Sequence, residues 1–195
     1  MRSVGILNLS HHWRTSLVNY KKVEGIISKD LCEVLAGSIL ILENNTPEEH
    51  MGDNITPGAF QRHGYSGTDS LLFYVRHKLE KIVGKKLLPT FSYCRVYRNG
   101  HRLPQHLDRP SCELVISINL KNDGVPWPII LGATSPVDVH LDQGDGVIYE
   151  GTKVLHTRKP FDGNEHVQVF LCYVYADGEH THLKYDKRVD TFDPF

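Results

Sequence analysis

Three side chains in this sequence could hold one metal ion between them. Gln105-His106-Leu107-Asp108 sets a histidine and an aspartate two residues apart. In an extended strand, residues i and i+2 project to the same side. Leu155-His156 supplies a second imidazole 50 residues further on. Two histidines and one carboxylate bind one face of a metal and leave three positions open, which suits an oxygen-activating ferrous ion. A closed four-ligand structural zinc site leaves no such room. A His-x-Asp triplet is common by chance, so its setting carries the reading. It follows a strand-like segment and a turn. Gly144-Asp145-Gly146-Val147-Ile148-Tyr149, ahead of His156, reads as a turn and then a strand.

The elements that must position these ligands fall into two groups. About the first 90 residues read as mainly helical. Ser28 is a good N-cap for a helix from Asp30 to about Leu42, with Glu33 close to capping-box spacing. A second helix is expected from near Thr68, because Leu71, Leu72, Val75, Leu79 and Ile82 recur at helical spacing and Gly84 is a natural stop. Between them, Asn44 to Gly67 is rich in Asn, Pro, Gly, Glu and His. Loops of this length are uncommon in compact domains unless functional, and a substrate lid and a loose surface connection are equally open readings.

After Pro89 the pattern turns to strands: Phe91 to Tyr97, Glu113 to Leu120, Pro128 to Leu131, Gly146 to Tyr149 and Val167 to Tyr175. In the first of these, Tyr93, Arg95 and Tyr97 share one face, while Cys94 and Val96 share the other. Turn signals at Asn99-Gly100, Asp123-Gly124, Gly144-Asp145 and Asp162-Gly163 separate them. Helices followed by short strands predict an α+β domain with a β-sandwich or barrel. The expected layout is a single domain over 1–195: helical support over about 1–90, a β core over about 91–176, and a polar tail from 177 laid over the surface.

Composition narrows the function classes. Lys and Arg number 22 against 23 Asp and Glu, so there is no electrostatic footprint for general nucleic-acid or anionic-membrane binding. No stretch approaches the roughly 20 apolar residues of a membrane span, and the N-terminal stretch lacks the apolar region of a signal peptide. Cys32, Cys94, Cys112 and Cys172 are scattered and read as free, buried thiols of a cytoplasmic protein. Twelve histidines in 195 residues invite a search for ligands. His11-His12, and His180 with His182 in the polar tail, read as solvated pairs.

With these segments in view, the sequence resembles the prolyl 4-hydroxylase-like 2-oxoglutarate/Fe(II) oxygenases. Tyr97-Arg98-Asn99-Gly100 followed by His106-Leu107-Asp108 looks like the family's Tyr-x-x-Gly…His-x-Asp segment. Gly144-Asp145 followed by His156 and Pro160 looks like its Gly-Asp…His-x-x-x-Pro segment. The resemblance runs over roughly Ile26 to Tyr175. It implies a double-stranded β-helix (a jelly-roll, cupin-like barrel) with supporting N-terminal helices. It further implies Fe(II) on His106, Asp108 and His156, with 2-oxoglutarate and O2 as cosubstrates. The activity implied is hydroxylation of an unactivated C–H of a small molecule or of a residue in a peptide or protein.

Two departures concern the cosubstrate. The family usually has Lys or Arg about ten residues after the distal histidine, where this chain has His166. It often has a Tyr shortly before the first ligand, and none stands between Gly100 and His106. Arg158 is the first candidate for the carboxylate anchor, since a guanidinium offers a two-pronged fork; a solvated strand-end charge is its alternative. A protonated His166, with Gln168 beside it on the same strand face, is another candidate, and Tyr93 and Tyr97 could add hydrogen bonds. Arg109 could orient Asp108 or contact substrate, or could simply pair with Glu113. Trp127 fits a core position better than a substrate wall. Two other functions stay open: a non-redox metal enzyme on a cupin-like barrel, and a jelly-roll binding module whose His-x-Asp is structural. The sequence does not fix the oligomeric state.

Overall fold

The computed structural model describes residues 20–187. Ser28 has the extended backbone of an N-cap, and its hydroxyl accepts from the Leu31 amide at 3.3 Å. Helix α1 (Lys29–Asn44) follows and buries Cys32, Leu35, Ala36 and Ile39. Helix α2 (Ser66–Val83) starts two residues ahead of the expected Thr68. It ends at Gly84, whose φ of 72° is the left-handed conformation glycine adopts without strain.

Among the described residues, ten strands make two antiparallel sheets: β1 (Tyr20–Val23), β2 (Phe60–His63), β3 (Leu87–Tyr97), β4 (Leu103–His106), β5 (Leu114–Asn122), β6 (Ile129–Leu131), β7 (Val137–Val139), β8 (Gly146–Tyr149), β9 (His156–Arg158) and β10 (His166–Tyr175). The major sheet runs β1-β8-β5-β10-β3-β2 and the minor sheet β4-β9-β6-β7. From β3 to β10 the chain passes back and forth between the sheets and closes a double-stranded β-helix, with α1 and α2 packed on the outside of the major sheet.

Strand alternation divides the sequence between two interiors. Cys94, Val96, Ile116, Ile118, Ile148, Val167, Val169 and Leu171 meet the helices in one apolar cluster. Their neighbours Phe91, Val115, Val147, Tyr149 and Cys172 line the barrel. Tyr93, Arg95 and Tyr97 therefore face inward, as their spacing predicts. Among the described residues, all four cysteines are free and buried. No helix there is long and apolar enough to cross a membrane.

The Gly144-Asp145 turn fixes β1 to the barrel. Gly144 has φ 89°, and a Cβ there would press on the Ile27 carbonyl at 2.6 Å. The Asp145 carboxylate accepts from the Gly25 amide at 3.0 Å and pairs with Lys22 at 3.0 Å. Burial pushes its pKa up, but these donors outweigh burial and the net shift is downward. A carboxylate with a depressed native pKa adds stability that is present above its unfolded pKa, about 4, and is lost as pH falls through the native value. Urea unfolding followed from pH 7 to pH 3 is expected to show a shallower acid loss for Asp145→Asn than for the native chain.

Segment 44–67 is neither loose nor purely loop. It carries a short 3-10 turn at Glu48–His50 and strand β2, which pairs with β3. The Asp53 carboxylate accepts from the Ile55 and Thr56 amides at 2.9 and 2.6 Å and from the Tyr93 hydroxyl at 3.0 Å, and it forms an ion pair with Arg95. The segment is thereby fastened to the inner face of β3. At the other end of the described chain, residues 181–187 lie against β3 and β10.

Candidate metal centre and the cavity around it

His106 ends β4, His156 opens β9, and the two are paired in register across the minor sheet. Their ring centroids lie 4.2 Å apart. The chain then turns so that the Asp108 amide donates to the Gly151 carbonyl at 2.9 Å. This brings Asp108 Oδ1 to 3.5 Å from His106 Nε2 and 3.7 Å from His156 Nε2. Ligand atoms of the three residues all fall within 4.8 Å of one another, the one such metal-binding grouping among the described residues. The pair His180 and His182 is not part of one, and His11-His12 lies outside the described residues.

Backbone carbonyls select the histidine tautomers. His106 Nδ1 lies 2.8 Å from the Pro104 carbonyl, and His156 Nδ1 lies 3.0 Å from that of Val154. A carbonyl only accepts, so each Nδ1 carries the proton and each Nε2 lone pair faces the cluster, as metal ligation requires. Burial lowers the His156 pKa, the Asp108 carboxylate opposes it, and the net shift is downward, toward the neutral ring. For His106 burial also pulls downward, but Asp108 and the Pro104 carbonyl prevail and raise it. An electron-pair donor set of two imidazoles and one carboxylate fits a divalent first-row metal.

Gly151 is the tightest neighbour of the cluster. A Cβ there would fall onto Asp108 Oδ2 and the Cys112 carbonyl. Gly151→Ala is expected to displace the carboxylate and weaken metal binding roughly 10–100-fold, the usual effect of disturbing the groups that orient ligands. Equilibrium dialysis with Mn(II) or anaerobic Fe(II) measures this.

The cluster opens on a cavity of about 550 Å³. Besides the three ligands, its wall includes Asp53, Gln61 and His63 from segment 44–67, Phe91, Tyr93, Arg95 and Tyr97 from β3, Arg109, and Phe170 and Cys172 from β10. Phe91 and Cys172 were legible in principle, by extending the alternation outward from Tyr93 and Gln168. Asp53 carries no such signal, because its role depends on where a long loop lands.

Arg158 lies two residues beyond His156 on the same face of β9 and is 2% exposed. It is a buried residue, so the solvated strand-end alternative does not hold. Its guanidinium lies 4.5 Å over the Trp127 ring, donates to the Trp127 carbonyl and reaches Gln168 Oε1 at 3.4 Å. Burial brings its pKa down to about 10, which leaves it a cation at neutral pH. Among the described residues no carboxylate pairs with it. Arg95 is equally buried, but Asp53 answers its charge.

His166 donates from Nε2 to Gln168 Oε1 at 2.7 Å, and Gln168 Nε2 donates to Ser117 Oγ at 2.8 Å. Burial, reinforced by the Arg158 charge, drops the His166 pKa to about 3. A ring shifted that far is neutral at neutral pH, next to the Arg158 guanidinium. Tyr97 is fully buried and on the cavity wall, and among the described residues neither its hydroxyl nor His166 Nδ1 has a hydrogen-bond partner. Tyr93 is differently occupied, since its hydroxyl is engaged by Asp53, Gln61 and Arg95. Trp127 packs with Tyr97 and Phe161 as a core residue. Arg109 does not pair with Glu113. Its partner is Asp186 at 2.8 Å, while Glu113 accepts from the Tyr175 amide at 3.0 Å.

No family model matches this sequence, and no curated protein matches it. Solved structures do share its architecture. The 2-oxoglutarate complex of a viral collagen prolyl hydroxylase from Paramecium bursaria Chlorella virus-1 superposes with a TM-score of 0.60 at 15% identity, over 79% of this chain and 94% of that one. The non-heme alpha-ketoglutarate-dependent epimerase SnoN from nogalamycin biosynthesis gives 0.68 at 12% identity, over 80% and 78%. HygX from Streptomyces hygroscopicus, with nickel, 2-oxoglutarate and hygromycin B bound, gives 0.63 at 11% identity, over 82% and 84%. The resemblance read from the sequence therefore holds at the level of fold: this chain is built on the double-stranded β-helix of the 2-oxoglutarate-dependent oxygenases.

Proposed function

We propose that this protein is a non-haem Fe(II), 2-oxoglutarate-dependent dioxygenase that hydroxylates an unactivated C–H of a small molecule or of an amino-acid residue. The observation that carries the reading is the convergence of His106, Asp108 and His156, whose ligand atoms lie within 4.8 Å of one another, with each Nδ1 turned to a backbone carbonyl. Iron bound there would supply dioxygen activation coupled to oxidative decarboxylation of 2-oxoglutarate. The chain itself binds, orients and excludes water.

In this reading Arg158 anchors the distal carboxylate of 2-oxoglutarate. It is a buried cation without an anion, and a buried charge without a partner is costly unless a ligand supplies one. The unpartnered Tyr97 hydroxyl adds a donor. Gln168, held by His166 and Ser117, keeps the fork of Arg158 in place. A neutral His166 contributes position rather than charge. Arg95 and Tyr93 serve the wall with Asp53. Four reduced, buried thiols fit a cytoplasmic setting.

A cupin-like non-redox metal enzyme would need the same metal ligands but not the uncompensated Arg158. A structural His-x-Asp would not need both imidazoles in the ligating tautomer. The test is succinate formation by anaerobically Fe(II)-loaded protein given 2-oxoglutarate and air. Slow turnover without added substrate supports the reading. Metal binding with neither succinate formation nor 2-oxoglutarate binding sinks it in favour of the cupin-like alternative.

A further inference from the structure

We propose that Arg109 binds a carboxylate group of the substrate at the cavity mouth, and that Asp186 holds that place in the free protein. The proposal rests on the dioxygenase reading and names the substrate class of the same site: a carboxylate on an apolar or aromatic body.

Arg109 directly follows the metal ligand Asp108 and lies on the cavity wall, with its side chain about half exposed. Its guanidinium lies 4.5 Å over the Phe91 ring, and Phe91 stacks with His63 at 4.7 Å. The aromatic contact sets the plane of the guanidinium and leaves its N–H edge for an acceptor. Asp186 engages that edge through Nη2 alone, at 2.8 Å. A carboxylate free to choose its approach binds such a fork through both oxygens, so Asp186 is an incomplete partner.

Asp186 also arrives from a poor backbone position. It has φ 50°, and Tyr185 before it has φ 58°, two consecutive non-glycine residues in the left-handed region. They belong to the segment 181–187 that packs against β3 and β10, where Tyr185 meets the Phe73 ring edge-on at 6.3 Å. The cavity wall that Arg109 shares carries hydrophobic surface from Phe91, Phe170, Ile55 and Leu107, polar groups from Gln61 and His63, and the ion pair of Asp53 with Arg95. Displacing Asp186 leaves Arg109 as the one arginine of the cavity wall without a carboxylate partner among the described residues. A carboxylate with an apolar body satisfies both the charge and the wall.

The test uses the metal-loaded protein with phenylacetate as probe and phenylacetamide as its neutral counterpart. Binding is followed by ligand-observed NMR with and without saturating 2-oxoglutarate. Asp186→Asn is expected to tighten phenylacetate binding by about two- to five-fold, the scale of a partly exposed ion pair that no longer competes. Arg109→Gln is expected to abolish the preference for phenylacetate over phenylacetamide, and Arg109→Lys to recover it in part. Phenylacetamide should respond to none of the three. An unchanged phenylacetate affinity in Asp186→Asn, or an intact preference in Arg109→Gln, overturns the proposal. Displacement of phenylacetate by 2-oxoglutarate also overturns it, because the probe then sits on the cosubstrate anchor. Absence of 2-oxoglutarate binding is a separate failure, that of the dioxygenase reading, and is read in the same experiment without the probe.

Discussion

His106→Ala and Asp108→Ala are each expected to remove stable divalent-metal binding and, with it, all 2-oxoglutarate turnover. Each substitution leaves two ligands on a face that needs three. The remaining imidazoles keep their carbonyl partners, so the fold should survive: His156 stays bonded to Val154 and paired through β9 to β6. The expected pattern is a native-like circular dichroism spectrum and near-native unfolding, with metal stoichiometry falling from one to near zero. A His156→Ala variant carries a larger stability cost, because that ring is 2% exposed and packs against Tyr149 at 4.9 Å. The two more accessible ligands therefore give the cleaner test. Retained activity in both variants would place the chemistry elsewhere.

The second large effect is expected at Arg158. Arg158→Met removes a buried cation that has no carboxylate partner among the described residues. Losing one side of a buried charge pair costs about 2–5 kcal/mol of binding, so 2-oxoglutarate affinity should fall at least roughly thirty-fold. Metal affinity should be nearly unchanged, because Arg158 touches no ligand atom of the cluster. The stability of the ligand-free protein should move little or rise, since desolvating an unpaired cation opposes folding. Saturating 2-oxoglutarate at about a hundred times its dissociation constant adds about 2.7 kcal/mol to a native protein. The thermal shift it causes should therefore be large in the native chain and cut to about a third or less in Arg158→Met at the same concentration. His166→Gln is expected to cost far less, because a neutral ring replaced by a neutral amide removes no charge. The reverse ranking would make His166 the anchor.

Much of this architecture was legible in the residues. Strand β8 falls on Gly146–Tyr149 as its sequence predicts, and β10 begins one residue earlier than expected. The two helices follow from Ser28, Gly84 and their apolar stripes. Alternation along β3 sorted Cys94 and Val96 toward the helices and Tyr93, Arg95 and Tyr97 toward the cavity. What stayed hidden were short strands without an apolar run of their own, above all β1, β2 and β7, whereas the equally short β6 and β8 were legible from theirs. Phe60-Gln61-Arg62-His63 has no strand pattern of its own; pairing with β3 makes it one. Partnerships between distant segments were hidden for the same reason. Asp53 meets Arg95, and Asp186 meets Arg109, only because closure of the barrel brings a loop and the tail to its open end. The metal ligands were legible because two of them sit within three residues on one strand end. The cosubstrate side was legible only as a choice between Arg158 and His166, and the burial and charge on which the proposal of Arg158 leans are not displayed by a sequence.

The most direct test of the central claim is the visible absorbance of anaerobic Fe(II) protein titrated with 2-oxoglutarate. The account predicts a metal-to-ligand charge-transfer band in the native chain. It predicts none in His106→Ala or Asp108→Ala, and in Arg158→Met a band that appears only at much higher 2-oxoglutarate. A native protein that binds Fe(II) stoichiometrically yet shows no band at any 2-oxoglutarate concentration would contradict it.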